Sequence, residues 1–108
     1  MAISEADWKV LRRLQPVALE RLCQRILAES VEVASSGSGS AHERYLKLFD
    51  LVKQRNKELA QTFDDVRRSR AIFTLLGVCR MGLLTDGELG EFSVEARAAV
   101  RRALGISE

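Results

Sequence analysis

The fold is decided by the stretch from Ser40 to Phe63, which reads SAHERYLKLFDLVKQRNKELAQTF. Its apolar or special residues follow steps of +4, +3, +4, +3 and +4, and they are Tyr45, Phe49, Val52, Asn56, Leu59 and Phe63. That spacing is typical of one row on a helix that faces another helix, and we call this row the predicted seam. Ser40 and Glu43 form a capping box at the start. Because the period-2 alternation of a strand is absent, the stretch predicts a helix.

A second long helix is predicted before this stretch, from about residue 5 to 34. Ser4 is the predicted N-cap, and the stripe that begins at Trp8 and Leu11 continues to Val33. Pro16 removes one backbone donor, so we expect a kink or a break near it. Residues 35–40 are mostly Ser and Gly and predict a short loop. The two helices therefore form an antiparallel hairpin.

The chain after Phe63 allows two interpretations. No Gly or Pro lies between Ala41 and Leu76, which favours a continuous helix over about residues 41–82. Thr62 and Asp65 could instead form a capping pair that starts a new helix, which would break it near residues 63–65. The segment from Ala71 to Leu84 is apolar on nearly every side, so we expect it to be the most buried. Short helices are predicted over about residues 86–91 and 94–104.

Composition agrees with one all-α domain. The chain has 108 residues, 46% of them hydrophobic, and a single proline, whereas small all-β folds need frequent turns. We predict a long antiparallel helical hairpin with short C-terminal helices, arranged as a bundle. The apolar surface exceeds what one hairpin can cover, so we expect an elongated homodimer.

The net charge and the lack of a targeting signal argue against a nucleic-acid-binding, membrane-bound or exported protein. The formal net charge of +2 comes from 17 basic and 15 acidic side chains and gives no long-range attraction to nucleic acid or to anionic membranes. The longest apolar run is interrupted by Arg80 and is too short for a membrane span. The N-terminal residues carry no signal pattern. We expect a cytoplasmic protein without a membrane span.

Few residues are candidates for a catalytic, redox or metal-binding role. His42 is the only histidine, and no Ser or Asp has a spacing to it that suggests a catalytic triad. Cys23 and Cys79 lie on apolar helix faces, which favours a structural role over a redox role. We predict no catalytic residue, no metal site and no cofactor.

Two basic clusters could contact phosphates. The first is Arg67, Arg68 and Arg70, and the second is Arg97, Arg101 and Arg102. Acidic residues flank each cluster, so a solvated or salt-bridged surface is favoured over nucleic-acid binding.

Asn56 has two interpretations. On a buried seam it would fix register or oligomer state at a cost in stability, and on an open seam it would meet water. The predicted function is a non-enzymatic helical interaction or regulatory module whose seam binds a second copy or a partner helix. The alternatives are a small nucleic-acid-associated protein that uses the Arg clusters and a thiol redox protein that uses Cys23 or Cys79.

Two segments carry a family resemblance. The start ISEADWK (residues 3–9) and the segment from His42 to Asp64 resemble a family of short, uncharacterised all-helical bacterial proteins, some of which carry the automatic label peptide methionine sulfoxide reductase. True reductases have a Gly-Cys-Phe-Trp motif or CxxC zinc pairs with a catalytic Cys. Here Cys23 lies in Leu-Cys-Gln and Cys79 in Val-Cys-Arg. The resemblance therefore implies a helical fold, and we do not expect reductase activity.

Overall fold

The computed structural model describes residues 3–105, and it shows five α-helices and no strand among them, so the predicted all-α fold is confirmed. The helices are α1 (Glu5–Ser35), α2 (Ala41–Phe63), α3 (Ala71–Arg80), α4 (Asp86–Leu89) and α5 (Val94–Leu104). A short 3₁₀ turn at Arg68–Arg70 precedes α3.

The helix starts follow the cap residues in the sequence. Ser40 and Glu43 form a complete capping box on α2, and Thr85 and Glu88 form one on α4. The Ser4 hydroxyl accepts a hydrogen bond from the Asp7 backbone N–H at the start of α1. Pro16 lies inside α1 and does not break this helix.

The hydrophobic core lies at one end of the hairpin, which we call the base. One row of α1 supplies Leu11, Leu14, Ala18 and Leu22, and α3 supplies Ile72, Leu75 and Val78. Phe92, Ala96 and Val100 close the core from the C-terminal side. The predicted burial of the Ala71–Leu84 segment thus arises because α3 lies against both long helices and α5.

The continuous helix favoured for residues 41–82 is wrong, because α2 ends at Phe63. Asp64 and Asp65 follow its last residue, where the negative end of the helix dipole disfavours further acidic residues. The backbone of Arg67 is extended, with φ −145° and ψ 161°. This change of direction folds α3 back onto α2, so most of the apolar segment is covered within the chain, although Phe73 stays exposed.

The molecule is elongated. Its radius of gyration is 16.6 Å, and its extents are 52 × 29 × 19 Å. A compact domain of this length has a radius of gyration of about 13 Å. The difference arises because the loop end of the hairpin projects beyond the base.

Candidate functional site

The projecting end of the hairpin is the candidate functional site. It comprises residues 26–52, and we call it the arm. None of these residues is buried, and every residue of the core cluster lies outside this range. Two helices alone cannot enclose a core, so the arm is held together by a single row of contacts.

Two arginines of α2 form hydrogen bonds to α1 within the arm and just below it. Arg44 donates from Nη1 to the backbone oxygen of Ala34 at 2.9 Å. Arg55 donates from Nε and Nη2 to the two carboxylate oxygens of Glu29, at 3.1 and 3.0 Å, and it also reaches Glu58. The hydrogen bond from Arg55 lowers the pKa of Glu29 from its ordinary value, although desolvation opposes this shift. Leu48 and Leu51 are only half-buried between these pairs.

Apolar side chains of the arm are instead exposed to solvent. The exposed fractions are 65% for Leu27, 65% for Val31, 61% for Tyr45, 55% for Phe49 and 45% for Val52. Together with Ala34 we call these residues the arm face. An apolar surface of this kind on a monomer commonly marks an interaction site.

The two rows of the arm face lie on the same side of the hairpin. On each helix the exposed row follows the inward-facing row by one residue, as Leu27 follows Ile26 and Phe49 follows Leu48. One residue is a rotation of about 100°. Because the helices are antiparallel, the same rotation turns both rows to one side of the pair. At the tip, Ala34 and Tyr45 line one shallow groove.

The opposite side of the arm carries more charged residues. Glu32, Arg44 and Lys47 line a common groove there, together with Val33, Ser36 and Ser38. The arm is therefore amphipathic as a pair of helices, with one apolar side and one charged side. Such a pair resembles half of a four-helix bundle.

The predicted seam divides into two parts in the structure. Tyr45, Phe49, Val52 and Asn56 are exposed. Phe63 belongs to the core and Leu59 packs against it. The row of α2 that contacts α1 is displaced by one residue from the predicted seam. The apolar spacing does not reveal this row because it contains Arg44 and Arg55. The apolar spacing in the sequence thus identified the open side of the arm.

A second feature on the hairpin is a shallow groove beside the end of α2. It is lined by Trp8, Arg12, Gln15, Pro16 and Val66, and we call it the basal groove. The Arg12 guanidinium carbon lies 6.0 Å from the centroid of the Trp8 ring. This groove therefore combines an aromatic ring, a proline, a cation and an amide.

A polar clasp that sequence reasoning missed fastens the C-terminal helices to α1. Asp7 is only 4% exposed, and Ser93 donates to its carboxylate from the backbone N–H at 2.8 Å and from the hydroxyl at 2.6 Å. Burial raises the pKa of Asp7, but the hydrogen bonds from Ser93 and Ser4 outweigh it, so the pKa is lowered. In the sequence, Asp7 is marked only by its position three residues after the N-cap Ser4.

A second part of this clasp involves Arg21. Its guanidinium donates to both carboxylate oxygens of Glu88, at 2.6 and 3.1 Å, and to the backbone oxygen of Leu83. The hydrogen bond from Arg21, helped by the Thr85 backbone N–H, lowers the pKa of Glu88 to about 2. Ion pairing thus fixes the segment between α3 and α5 on α1.

The cysteines and the histidine, which are the candidate redox and catalytic residues, do not form a cluster. Cys23 and Cys79 are free and half-buried, and burial raises the pKa of the Cys79 thiol to about 11. His42 is exposed in the first turn of α2. Across residues 3–105, no three His, Cys, Asp or Glu side chains come together in a group that could hold a metal ion.

The first basic cluster is engaged in ion pairs. Arg67 pairs with Asp65 at 2.9 Å, Arg68 with Glu5 at 2.7 Å, and Arg70 with Asp65 at 3.4 Å. These pairs agree with the salt-bridged surface that the flanking acids predict. In the second cluster, Arg101 and Arg102 are exposed in the last turn of α5, where positive charge stabilises the helix end.

Within the described part of the chain, no helix has both the length and the hydropathy that crossing a membrane requires. Comparisons with protein-family models, curated proteins and solved structures found no match.

Proposed function

We propose that the protein is a non-enzymatic helical interaction module that forms a homodimer through the arm face. The observation that carries this proposal is the arm itself, which has no buried residue and exposes two aromatic and three large aliphatic side chains on one side. A second copy would supply the missing half of a four-helix bundle.

The size of the arm face supports a second copy as the occupant. The exposed parts of its five large side chains amount to roughly 500 Å², given that an aromatic side chain alone can bury 150–250 Å². Interfaces are about 56–65% apolar by area. An interface that contains this surface would therefore bury roughly 800 Å² on each partner, the size of a standard stable interface.

The rival functions have less support. The Arg67, Arg68 and Arg70 side chains already pair with acids of the same chain, which weakens the case for phosphate binding. A thiol with a pKa of about 11 at Cys79 is a poor nucleophile at neutral pH. Membership of the family that carries the reductase label is only a proposal, and we do not propose reductase activity. A cytoplasmic location is likewise proposed, since two unpaired cysteines suit a reducing compartment.

The test compares two double variants of equal chemistry. Val31→Ser with Phe49→Ser changes the arm face, and Val94→Ser with Phe73→Ser changes two equally exposed residues on α5 and α3. Molar mass is measured by size-exclusion chromatography with light scattering at tens of micromolar, and helix content by circular dichroism.

We expect the unmodified chain and the α5/α3 variant to have twice the chain mass of 12.1 kDa, and the arm variant to have the chain mass. The fold of the base does not depend on the arm face, so helix content at the base should persist. A monomeric unmodified chain, or an arm variant that still dimerises, would contradict the proposal.

A further inference from the structure

The arm face continues along the hairpin to the basal groove with a regular spacing. Ala34 and Tyr45 lie side by side at the tip. Eleven residues back along α1 from Ala34 lies Cys23, and eleven residues forward along α2 from Tyr45 lies Asn56. Eleven residues are close to three helical turns, so each step stays on one side of its helix and advances about 16 Å.

A second step of eleven residues reaches the basal groove. It leads from Cys23 to Arg12 along α1, whereas α2 ends at Phe63, before an equal step from Asn56 would be complete. Arg12 and Val66 both line the basal groove. Tyr45 and this groove are therefore equally far from the level of Cys23 and Asn56, on the same side of the hairpin and in opposite directions.

This arrangement is what an antiparallel two-fold dimer requires. In such a dimer every contact occurs twice, and two surfaces that meet must lie at equal distances on either side of the axis. An axis at the level of Cys23 and Asn56 brings the arm tip of each copy to the basal groove of the other.

The chemistry of the groove suits a tyrosine. The Trp8 ring and Pro16 offer flat apolar surfaces, and the Arg12 guanidinium can lie over a second aromatic ring. The Gln15 amide can exchange a hydrogen bond with a phenol hydroxyl. Tyr45 is 61% exposed at the arm tip, so its ring is available to a partner.

We propose that two copies of the chain pair antiparallel, so that the arm face of each copy lies against the basal half of the other's hairpin, with Tyr45 of each copy seated in the basal groove of the other. This inference rests on the proposed function, because it specifies the geometry of the same dimer. Asn56 then lies beside the two-fold axis, where two amides can bond each other. This placement gives Asn56 the register role that its position in the predicted seam suggested.

Trp8 is the only tryptophan and reports on the groove directly. Its fluorescence emission is recorded while the unmodified chain is diluted from the dimer to the monomer, with molar mass measured on the same samples. We expect the emission to shift to longer wavelength as the dimer dissociates, because the groove loses its occupant. The Tyr45→Ala variant is measured at a concentration where light scattering still reports a dimer. Its Trp8 emission should have the same wavelength as that of the diluted, monomeric unmodified chain. Phe73→Ala should behave like the unmodified chain.

Cross-linking provides a second readout. In a Cys23→Ala background, which keeps the unreactive Cys79, Tyr45→Cys and Gln15→Cys are made as separate chains and then mixed under oxidant. A disulfide-linked dimer should form in the mixture and in neither chain alone.

The outcomes separate the two proposals. A chain that stays monomeric at all concentrations overturns the proposed function, and the antiparallel geometry with it. A dimer whose Trp8 emission does not change on dilution, or which cross-links through Tyr45→Cys alone, overturns only the geometry.

Discussion

Replacing Asp7 by alanine tests whether the clasp between α1 and α5 stabilises the fold. The change removes a carboxylate that accepts two hydrogen bonds from Ser93, at 2.8 and 2.6 Å, in a site where Asp7 is 4% exposed. It also leaves the N-terminal end of α5 without its contact to α1.

The expected loss in the free energy of unfolding follows from the two hydrogen bonds and from the cost of burying the carboxylate charge. A hydrogen bond to a charged group contributes roughly 1.5–3 kcal/mol to stability. Because removing Asp7 also relieves the desolvation of a carboxylate, we expect a net loss of about 2–3 kcal/mol in the free energy of unfolding. That is a large share of the 5–15 kcal/mol typical of a domain, and it lowers the melting temperature by about 10 °C or more.

Thermal and urea unfolding, followed by circular dichroism at a concentration where the oligomeric state is unchanged, measures this loss. Glu5→Ala is the matched control, since Glu5 also lies in the first turn of α1 but forms an exposed ion pair with Arg68. We expect it to cost about 1 kcal/mol or less. The pKa of Asp7 is lower in the folded chain, so its contribution is present above its ordinary pKa of 3.8 and is lost as the pH falls below that value. A loss below about 0.5 kcal/mol, or a coupling near zero in a double-mutant cycle with Ser93→Ala, would show that the clasp does not stabilise the fold.

Three further predictions concern the seam, the thiols and the second part of the clasp. Asn56→Leu should change the stability of the monomer by no more than about 0.5 kcal/mol because Asn56 is exposed, yet it should tighten self-association and populate higher oligomers, as sedimentation velocity would show. The Cys79 thiol should react with an alkylating reagent at pH 8 far more slowly than a free exposed thiol, since its pKa is about 11. The alkylation rate is measured by mass spectrometry, and a rate equal to that of a free exposed thiol would contradict this prediction. Glu88→Gln should lower the free energy of unfolding at pH 7. The pKa of Glu88 is about 2 against an ordinary value of 4.5, so the difference from the unmodified chain should shrink as the pH falls from about 5 to 2 in acid-unfolding curves.

Local signals explain the parts of the fold that the sequence predicts well. The capping boxes at Ser40 and Thr85 mark helix starts within a few residues of the cap, so α2 and α4 begin where expected. The Ser–Gly loop at residues 36–40 has no side chains to bury and fixes the hairpin. These features depend on neighbours in the chain, which the sequence displays directly.

Features that depend on distant residues could not be predicted in the same way. No Gly or Pro marks the end of α2, and the packing of the apolar α3 back onto the base, with Gly77 lying close to Thr62, acts there together with the local effect of Asp64 and Asp65. Asp7 and Ser93 are 86 residues apart, and only the fold brings them together. The row of α2 that faces α1 contains Arg44 and Arg55, so hydrophobic periodicity selected the neighbouring, exposed row instead.

Hydrogen exchange at two protein concentrations tests whether the arm is completed by a second copy. Amides of residues 26–52 are compared with those of Leu75 and Val78 in the core, below and above the concentration at which the molar mass doubles. We predict that the arm amides exchange rapidly in the dilute sample and become protected in the concentrated one, because the arm alone has no buried residue. The core amides should exchange at the same rate in both samples. Arm amides that are equally protected at both concentrations would contradict the account.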